Sequence, residues 1–512
     1  MYSSNDSIDI NLLSKSGKKC SHRGPDSTKE LTIHGENSYT YLQFHRLAIN
    51  GLNEESDQPM SLKNNDNIIL LCNGEIYNYK SLAEKYNIEL DTDSDCEIII
   101  HLYLQIPIHK LIKELDGVFS FIIYDKLKQS IIIGHDPLGI RQLYWFKDKD
   151  NSTIGVASEL KSLNGLNKNI EFYPPGSYSF YFLKNKNLHT YSYYTFIYPP
   201  ITDSNENKII DNIQKYLKAA VQKRLITDRP LGCLLSGGLD SSIITAIVSQ
   251  IIGPENTNTF AIGLNGSPDL VSAQKVADYL GTNHTNIIVS EDDMLNAIDG
   301  TIYQIESYDT TTVRASVPMF LLSKYICDNT DIKVILSGEG SDEASGSYLY
   351  FHNAPNANEF QEECIRLLKD VRMFDVLRGD KTTAGAGLEI RVPFFDKQFL
   401  NYYMGINPEL KMPRDGMEKY LLRKSFEHSI PEDIVWRRKD GFSDSVSSFE
   451  KPWYQIIEEY TQSNFNLSEK DFYKTRFIKY FPDCKDIIPY FWMPKWSNHC
   501  NINDNPSGRL VS

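Results

Sequence analysis

The sequence predicts two domains of different fold class: a layered α+β domain, then an α/β domain with a parallel sheet. A chain of 512 residues is too long for one ordinary hydrophobic core. Strand-like runs follow one another closely in the first part, whereas strands alternate with helices in the second. We place the first domain at residues 1–185, a polar and aromatic linker with a Pro-Pro break at 186–207, and the second domain at 208–512.

In the first domain the predicted strands are short runs of β-branched and aromatic residues. NIILLC (67–72), GVFSFIIYD (117–125) and SIIIG (130–134) are such runs, and a short polar KLKQ between the last two predicts a hairpin. Between these runs, DCEIIIHLYLQ (95–105) is predicted to be helical.

The second domain begins with an amphipathic helix, IIDNIQKYLKAAVQKRL (209–225). A strand GCLL (232–235), a helix SSIITAIVSQII (241–252), a strand NTFAIGL (258–264) and a helix PDLVSAQKVADYLG (268–281) follow it. A later run, KVILSG (333–338), repeats the change from strand to glycine. Such alternation is typical of a parallel α/β sheet.

Composition excludes several functional classes. A net charge of −14 argues against a nucleic-acid or anionic-membrane partner. The first residues lack the apolar core of a secretory signal, and no apolar run is long enough to cross a bilayer. Eight scattered cysteines without metal-like spacing predict reduced thiols and a cytoplasmic location.

The most informative stretch is SGGLDSS (236–242), which lies between a predicted strand and a predicted helix. Glycine lets a ligand approach the backbone closely, and the start of a helix offers unpaired N–H groups to a phosphate. Serine hydroxyls add donors, and Asp240 suits Mg²⁺ bridging to phosphate oxygens. A tight turn with a serine cap accounts for SGG alone equally well. The Gly-Lys-Ser/Thr ending of a P-loop is absent.

The full string resembles the PP-loop of ATP pyrophosphatases, and further motifs accompany it in order. They are HRGPD (22–26), FHRLAI (44–49), NGEIYN (73–78), SDCE (94–97), YDTTTVRAS (308–316), SGEGSDE (337–343), LEIRVPFFD (388–396), WRRKDGFSD (436–444), FWMPKW (491–496) and DNPSGR (504–509). Together they resemble glutamine-dependent asparagine synthetase over nearly the whole chain.

The resemblance implies a class II glutaminase domain of the N-terminal nucleophile type, followed by a PP-loop synthetase domain. The first domain would release ammonia from glutamine. The second would adenylate the β-carboxylate of aspartate with ATP and Mg²⁺, and ammonia would convert the adenylate to asparagine, AMP and pyrophosphate. It implies small-molecule substrates, with no nucleic acid and no membrane, and leaves a homodimer open.

The resemblance also assigns residues of the synthetase domain. Glu339 would be the general base, which accepts a proton as ammonia attacks. Asp240 and Asp342 would ligate Mg²⁺, and Thr311 and Arg314 would bind aspartate. The ATP-binding residues would be Leu234, Ser236, Gly237, Gly238, Asp240, Ser241, Ile262, Ser337, Gly338 and Lys439. Without the resemblance, each of these features has a simpler interpretation. Acid-rich turns are also typical of helix caps, Leu234 and Ile262 are typical core residues, and an isolated lysine such as Lys439 is usually a surface residue.

In the glutaminase domain, Arg46 would bind the α-carboxylate of glutamine and Asp95 its α-amino group. The Asn73 side chain and the Gly74 N–H would form the oxyanion hole. The residues that would line this pocket are Arg46, Leu47, Ala48, Ile49, Asn50, Asn73, Gly74, Glu75 and Asp95. Asn-Gly is equally a common signal of a type I′ hairpin turn.

The beginning of the chain departs from the family pattern. Family members begin Met-Cys-Gly-Ile and use that cysteine as nucleophile, whereas this chain begins Met-Tyr-Ser. We therefore expect the first strand and the nucleophile to be missing. Three interpretations stay open: a short N-terminus is absent from the sequence, the enzyme uses free ammonia, or the first domain binds glutamine without cleaving it. His135 and Gln142 also depart from the usual Arg and Pro.

A different functional class is also open, a non-catalytic or regulatory pseudoenzyme that binds glutamine or ATP. The absent nucleophile motivates this alternative, which predicts no aspartate-dependent exchange between ATP and pyrophosphate.

Overall fold

The computed structural model describes residues 1–3, 9–35, 38–202, 205–439, 441–448, 450–498, 500 and 504–507. The chain divides into two compact units. The first contains residues 1–195, 226–228 and 478–487, and the second contains the remainder.

The first unit is built on two six-stranded sheets, with strand orders β10-β8-β9-β1-β3-β2 and β12-β11-β7-β6-β5-β4. The strands are β1 Tyr2–Ser3, β2 Ser27–His34, β3 Tyr39–Arg46, β4 Met60–Leu62, β5 Asn65–Ile76, β6 Gly117–Asp125, β7 Ser130–His135, β8 Tyr144–Lys147, β9 Thr153–Ala157, β10 Glu171–Phe172, β11 Ser177–Phe182 and β12 Asn187–Ser192. Its helices are α1 Ile10–Gly17, α2 Tyr79–Tyr86, α3 Ile98–Gln105, α4 Ile108–Glu114 and α5 Leu160–Leu163.

Alternating side chains of the second sheet build two apolar layers. In β7, Ile131 and Ile133 point into a core shared with Leu42 of β3 and Trp145 of β8, so this core lies between the two sheets. Ile132 points the other way, into a core with residues of α2, α3 and α4. Because successive side chains of a strand face opposite sides, one run of isoleucines serves both layers. The predicted layered α+β fold and the β6–β7 hairpin are confirmed.

Two expectations for this unit are wrong. The first strand is short rather than missing, since β1 pairs with both β3 and β9, with Tyr2 opposite Thr40 and Ile154. The predicted linker begins too early, because residues 187–192 form β12, which pairs along its length with β11. All residues of this strand except the half-buried Leu188 are exposed, as expected at a sheet edge, and a polar exposed strand has a composition similar to that of a linker. Linker residues 203 and 204 lie outside the described residues.

The second unit contains the predicted parallel sheet, with five strands in the order β15-β14-β13-β16-β17. These strands are β13 Leu231–Leu234, β14 Asn258–Leu264, β15 Asn283–Val289, β16 Val334–Leu336 and β17 Glu389–Arg391, and every neighbouring pair is parallel. Parallel strands need helical crossovers, which explains why helices alternate with them.

Fifteen α-helices of this unit lie within the described residues. They are α6 Glu206–Lys223, α7 Leu239–Ile252, α8 Pro268–Leu280, α9 Glu291–Ile305, α10 Thr310–Asn329, α11 Ser341–Ser345, α12 Ala357–Asp370, α13 Asp375–Ala384, α14 Lys397–Gly405, α15 Pro408–Lys411, α16 Tyr420–Ser425, α17 Glu432–Val435, α18 Phe442–Ser445, α19 Trp453–Phe465 and α20 Glu469–Tyr480, the last three residues of which are counted with the first unit. Within these described parts, no helix combines the length and the apolar character needed to span a bilayer. All eight cysteines are described, and none forms a disulfide.

One buried lysine of the second unit makes stability depend on pH. Lys411 is only 2% exposed, and its ammonium donates to the Gln361 side-chain oxygen at 2.7 Å, a neutral partner. Burial lowers the pKa of Lys411 to about 8, although nearby Cys364 acts in the opposite direction. The folded state therefore holds this proton less tightly than the unfolded state.

We predict that Lys411 adds stability as the pH rises from 8 towards 10.5, because the unfolded chain binds more protons in this window. The difference in the free energy of unfolding between the parent and Lys411→Met should change in favour of the parent by about 3 kcal/mol between pH 8 and pH 10.5. Denaturant titrations at several pH values measure this difference. The exposed Lys397→Met is the control and should give no comparable slope; a flat difference for Lys411→Met would contradict the prediction.

Candidate active site

The SGGLDSS stretch forms the turn between β13 and α7, as predicted. Gly237 has φ +70°, and a Cβ there would lie 2.4 Å from the backbone of Ser272 and Ala273, so only glycine fits. Gly238 is the N-cap of α7 and leaves the first N–H groups of this fourteen-residue helix at the turn. This backbone geometry suits an anion.

Serine hydroxyls stabilise the turn through hydrogen bonds to other residues of the same turn. The Ser236 and Ser241 hydroxyls are 3.1 Å apart, and the Gly238 N–H donates to Ser236 Oγ at 3.3 Å. Ser242 Oγ donates to the Gly238 carbonyl at 2.7 Å. The turn therefore keeps its shape through its own hydrogen bonds.

A second glycine-rich turn lies directly beside the first, because β16 is the parallel neighbour of β13. It leads from β16 into α11, and a Cβ at Gly338 would come within 2.8 Å of the Ser241 nitrogen. Ser341 Oγ donates to Asp240 Oδ1 at 2.7 Å. The two acid-bearing turns, which are separated by about a hundred residues in sequence, thus form one surface.

Two lysine ammonium groups connect the acids of these turns. Lys419 Nζ lies 2.5 Å from Asp240 Oδ2 and 2.6 Å from Asp342 Oδ1, and Lys439 also forms an ion pair with Asp342. Burial by itself raises the pKa of Asp342, but the two lysines outweigh it and hold that pKa well below its usual range. Both carboxylates therefore face a shared region that is rich in positive charge.

Lys419 was not predicted from the sequence. It is 3% exposed and occupies the N-cap of α16 with φ +60°, after the turn RDGM. No motif marks it, and the only local signal is a lysine at the start of an amphipathic segment. Its importance follows from the position of its ammonium between two acids that are 179 and 77 residues away in sequence.

The turns open onto a cavity of about 270 Å³ inside the second unit. Apolar side chains of Leu234, Ile262 and Met319 form part of its wall. The predicted site residues that line it are Leu234, Ser236, Gly238, Asp240, Ser241, Ile262, Thr311, Ser337, Gly338, Glu339, Asp342 and Lys439. Gly237 supports the turn from behind, and its carbonyl accepts from Arg437 at 3.3 Å. The wall combines apolar side chains with many charged groups of both signs, which suits a small molecule that itself carries charge.

Glu339 is an acid of this cavity that pairs with an arginine. Its Oε2 accepts from Arg378 Nη2 at 2.5 Å. Burial raises the pKa of Glu339 to about 7; Arg378 opposes this rise, whereas Asp375, Asp342 and Asp240 add to it. A carboxylate with this pKa can accept a proton near neutral pH.

Arg314, predicted to bind aspartate, lies in a buried network of polar contacts, and its role towards the substrate stays a prediction. This arginine is 2% exposed, and its Nε donates to Glu469 Oε1 at 2.8 Å while its Nη1 donates to Asn505 Oδ1 at 3.0 Å. The described lining of the cavity does not include it. Its partner lies 155 residues further along the chain, so the sequence motif gave no sign of this structural ion pair. Thr311 does reach the cavity, and its hydroxyl donates to Asp309 at 2.7 Å.

The predicted glutamine pocket forms a connected group in the first unit. Arg46 donates to Asp57 Oδ1 at 2.8 Å, to the Asn53 carbonyl at 2.7 Å and to the Asn50 carbonyl at 3.3 Å. Asn50 in turn donates to Glu75 Oε2 at 2.5 Å. Of the segment between them, Leu47 is half-buried, and Ala48 and Ile49 are buried. A substrate carboxylate would therefore have to share Arg46 with Asp57.

The Asn-Gly pair lies within strand β5 and not in a hairpin turn, with Asn73 opposite Ser120 and Gly74 opposite Phe119. A Cβ at Gly74 would meet the Val118 carbonyl at 2.1 Å, and its φ of +154° also requires glycine. The Asn73 amide donates to Ser158 Oγ at 3.0 Å.

Asp95 is buried next to this strand end, and its Oδ2 accepts from the Ile76 N–H at 2.6 Å. The predicted residues thus gather at one end of β5. Their hydrogen-bond donors and acceptors are engaged with one another or with neighbouring protein groups.

Asp240 and Asp342, the carboxylates of the two turns, are the residues predicted to ligate Mg²⁺. Among the described residues no group of three or more His, Cys, Asp and Glu side chains forms a metal centre. Asp240 and Asp342 nevertheless point at one common ammonium, which means that they converge. Magnesium is commonly held by one or two carboxylates together with substrate phosphates, so these two residues fit a metal that arrives with a nucleotide.

Known proteins match the chain over its whole length. A family model for asparagine synthase matches residues 212–361 and 353–499, and one for a glutamine amidotransferase domain matches residues 2–198. Glutamine-hydrolysing asparagine synthetases of Rattus norvegicus and Homo sapiens are each 38% identical over 561 residues, which cover 100% of this chain and 98% of theirs. A probable glutamine-hydrolysing asparagine synthetase of Acanthamoeba polyphaga mimivirus is 40% identical over 527 residues, 96% of this chain and 95% of its own.

We predict that Lys419→Met lowers the free energy of unfolding by about 2–3 kcal/mol, because it removes the cation that Asp240 and Asp342 share and leaves only Lys439 beside Asp342. Adding Asp240→Asn to this variant should restore part of the loss. Lys424→Met, which removes only a half-exposed pair with Glu427, is the control and should cost less than about 1 kcal/mol. Chemical denaturation measures all three variants, and equal losses for Lys419→Met and Lys424→Met would contradict the bridging role.

Proposed function

Because this chain belongs to the family of glutamine-hydrolysing asparagine synthetases, we propose that it uses ATP to adenylate the β-carboxylate of aspartate and transfers an amide nitrogen from glutamine to give asparagine, AMP and pyrophosphate. The observation that carries this proposal is the pair of glycine-rich turns at neighbouring strand ends, joined by Lys419 and opening onto a cavity that contains Glu339.

ATP phosphates would bind at the first turn. The N–H groups at the start of α7 and the Ser236 and Ser241 hydroxyls supply donors, while Lys419 and Lys439 supply two positive charges. Leu234 and Ile262 would pack against the adenosine. Ser337 and Gly338 would complete the contact from the second turn, since both line the same cavity.

Mg²⁺ would be held by Asp240 and Asp342 together with phosphate oxygens. The ion would neutralise negative charge on the phosphates and favour departure of pyrophosphate. Lys419 lies between the two carboxylates, and phosphate binding would give its ammonium an alternative partner.

Glu339 would act as general base. Ammonia loses a proton as it attacks the adenylate carbonyl, and a carboxylate in the same cavity can accept that proton. A pKa of about 7 leaves a substantial fraction ionised at neutral pH and makes proton acceptance effective. Thr311 stays our candidate for aspartate binding, since its hydroxyl lies at the cavity wall.

Glutamine would bind in the first unit against Arg46, Asp95 and the Asn73–Gly74 strand end. The hydrogen-bonded series from Arg46 through Asn50 to Glu75 supports a preformed pocket. The Asn73 amide and Gly74 N–H would stabilise the negative oxygen that develops when a nucleophile adds to the glutamine side-chain amide, before ammonia leaves. Tyr2 stands where family members have that nucleophile, a cysteine.

Two further proposals concern the cellular setting. Eight cysteines without a disulfide support a cytoplasmic location, and a net charge of −14 supports small-molecule rather than nucleic-acid partners. A homodimer stays a prediction.

We predict aspartate-dependent exchange of labelled pyrophosphate into ATP, together with asparagine formation from ammonium or glutamine. Glu339→Gln should lower ammonium-dependent asparagine formation by about 100-fold or more, because the proton acceptor is lost. The exposed Glu459→Gln, which is not among the described residues of the cavity wall, is the matched control and should retain parent activity.

Separate assays with ammonium and with glutamine distinguish the two halves of the proposal. Asparagine formation with ammonium but none with glutamine would overturn the use of glutamine and leave the proposed synthetase activity intact. If the protein shows no aspartate-dependent pyrophosphate exchange, and forms no asparagine with either nitrogen donor, the proposed synthetase activity is overturned and a pseudoenzyme is favoured. Normal turnover of Glu339→Gln would overturn the assignment of the base.

A further inference from the structure

Glu339 is the end of a continuous series of polar contacts along one wall of the cavity. Arg378 Nη2 donates both to Glu339 Oε2 at 2.5 Å and to Asp375 Oδ1 at 2.6 Å. The other Asp375 oxygen lies 3.0 Å from the Tyr348 hydroxyl, which is also 2.6 Å from Glu343 Oε1. All five side chains line the cavity, and Arg378, Asp375, Tyr348 and Glu343 were not singled out by the sequence.

The geometry gives Arg378 and Asp375 different positions relative to Glu339. Arg378 touches it directly, whereas Asp375 reaches it only through the guanidinium; no direct contact between the two acids occurs in the described structure. Asp375 and Arg378 are three residues apart in α13, so the helix itself fixes their spacing. Arg378 is 7% exposed and cannot turn towards solvent without losing both partners.

We propose that Asp375 and Arg378 are positioning residues for the proton acceptor: Asp375 fixes the Arg378 guanidinium, and Arg378 holds the Glu339 carboxylate in one orientation and balances its negative charge. The proposal rests on the proposed function, since it assigns Glu339 the base role. Arg378 itself exchanges no proton, because a guanidinium stays protonated.

The charges around Glu339 determine what each substitution does. Arg378 is the positive group in direct contact, while Asp375 on α13, Asp342 on α11 and Asp240 on α7 are the negative groups that face it. Lys419 and Lys439 belong to the same cluster but pair with Asp342. Removing the arginine charge should raise the pKa of Glu339, whereas removing the Asp375 charge should lower it.

The test is the pH dependence of kcat for asparagine formation, measured at a fixed concentration of free ammonia and saturating aspartate and ATP. Activity should rise with pH as Glu339 ionises. The midpoint of that rise should move to higher pH by about one unit in Arg378→Gln and to lower pH in Asp375→Asn. Arg378→Lys should move the midpoint back towards the parent value, because it restores the charge without the planar fork.

Arg366→Gln is the matched control. Arg366 also bridges two carboxylates, Glu363 and Asp370, but is not among the described residues that line the cavity. Its pH midpoint should equal that of the parent. Thermal unfolding of each variant identifies any that fail to fold, and Asp375→Asn then carries the test if Arg378→Gln does not fold.

Each outcome decides one point. Opposite shifts of the midpoint support the positioning role. Lower kcat with an unmoved midpoint overturns it, and so does a rise in KM for aspartate alone, which would make Arg378 a substrate ligand. If the parent shows no aspartate-dependent pyrophosphate exchange, the proposed function fails; if the parent shows exchange but the midpoints stay fixed, only this inference fails.

Discussion

The Lys419 ammonium between Asp240 and Asp342 is the interaction on which the site depends. Parallel pairing of β13 with β16 brings two turns together, and each turn carries a carboxylate that would repel the other. A buried cation removes that repulsion and also leaves positive charge where phosphates would bind. One ion-paired cluster therefore stabilises the two turns and places positive charge where an anion would bind. The proposed general base, Glu339, lies in the same cavity, and the negative charges of Asp240 and Asp342 help to raise its pKa.

Local chemistry explains which parts could be predicted from the sequence. The strand, turn and helix over residues 231–252 follow from an apolar run, two glycines and a serine-rich helix start, all of which act within a few residues. The three consecutive isoleucines of β7 likewise indicate a strand with two buried faces. These local preferences predict the structure correctly because the tertiary contacts favour the same conformation.

Contacts between distant segments explain what the sequence did not reveal. Lys419 and Arg378 matter because of partners that other helices supply, and nothing near them in sequence marks those partners. The sequence likewise gave no sign of the ion pair of Arg314, since Glu469 binds its guanidinium from a helix 155 residues away. An arginine inside a motif indicates a buried charge pair as readily as a substrate contact.

A crystal structure of the protein with a non-hydrolysable ATP analogue and magnesium tests the role of the two turns most directly. We expect phosphates at the turn formed by residues 236–241, with Lys419 and Lys439 turned towards them and the metal against Asp240 and Asp342. A nucleotide bound elsewhere, with Lys419 still between the two carboxylates and the turn empty, would contradict this role.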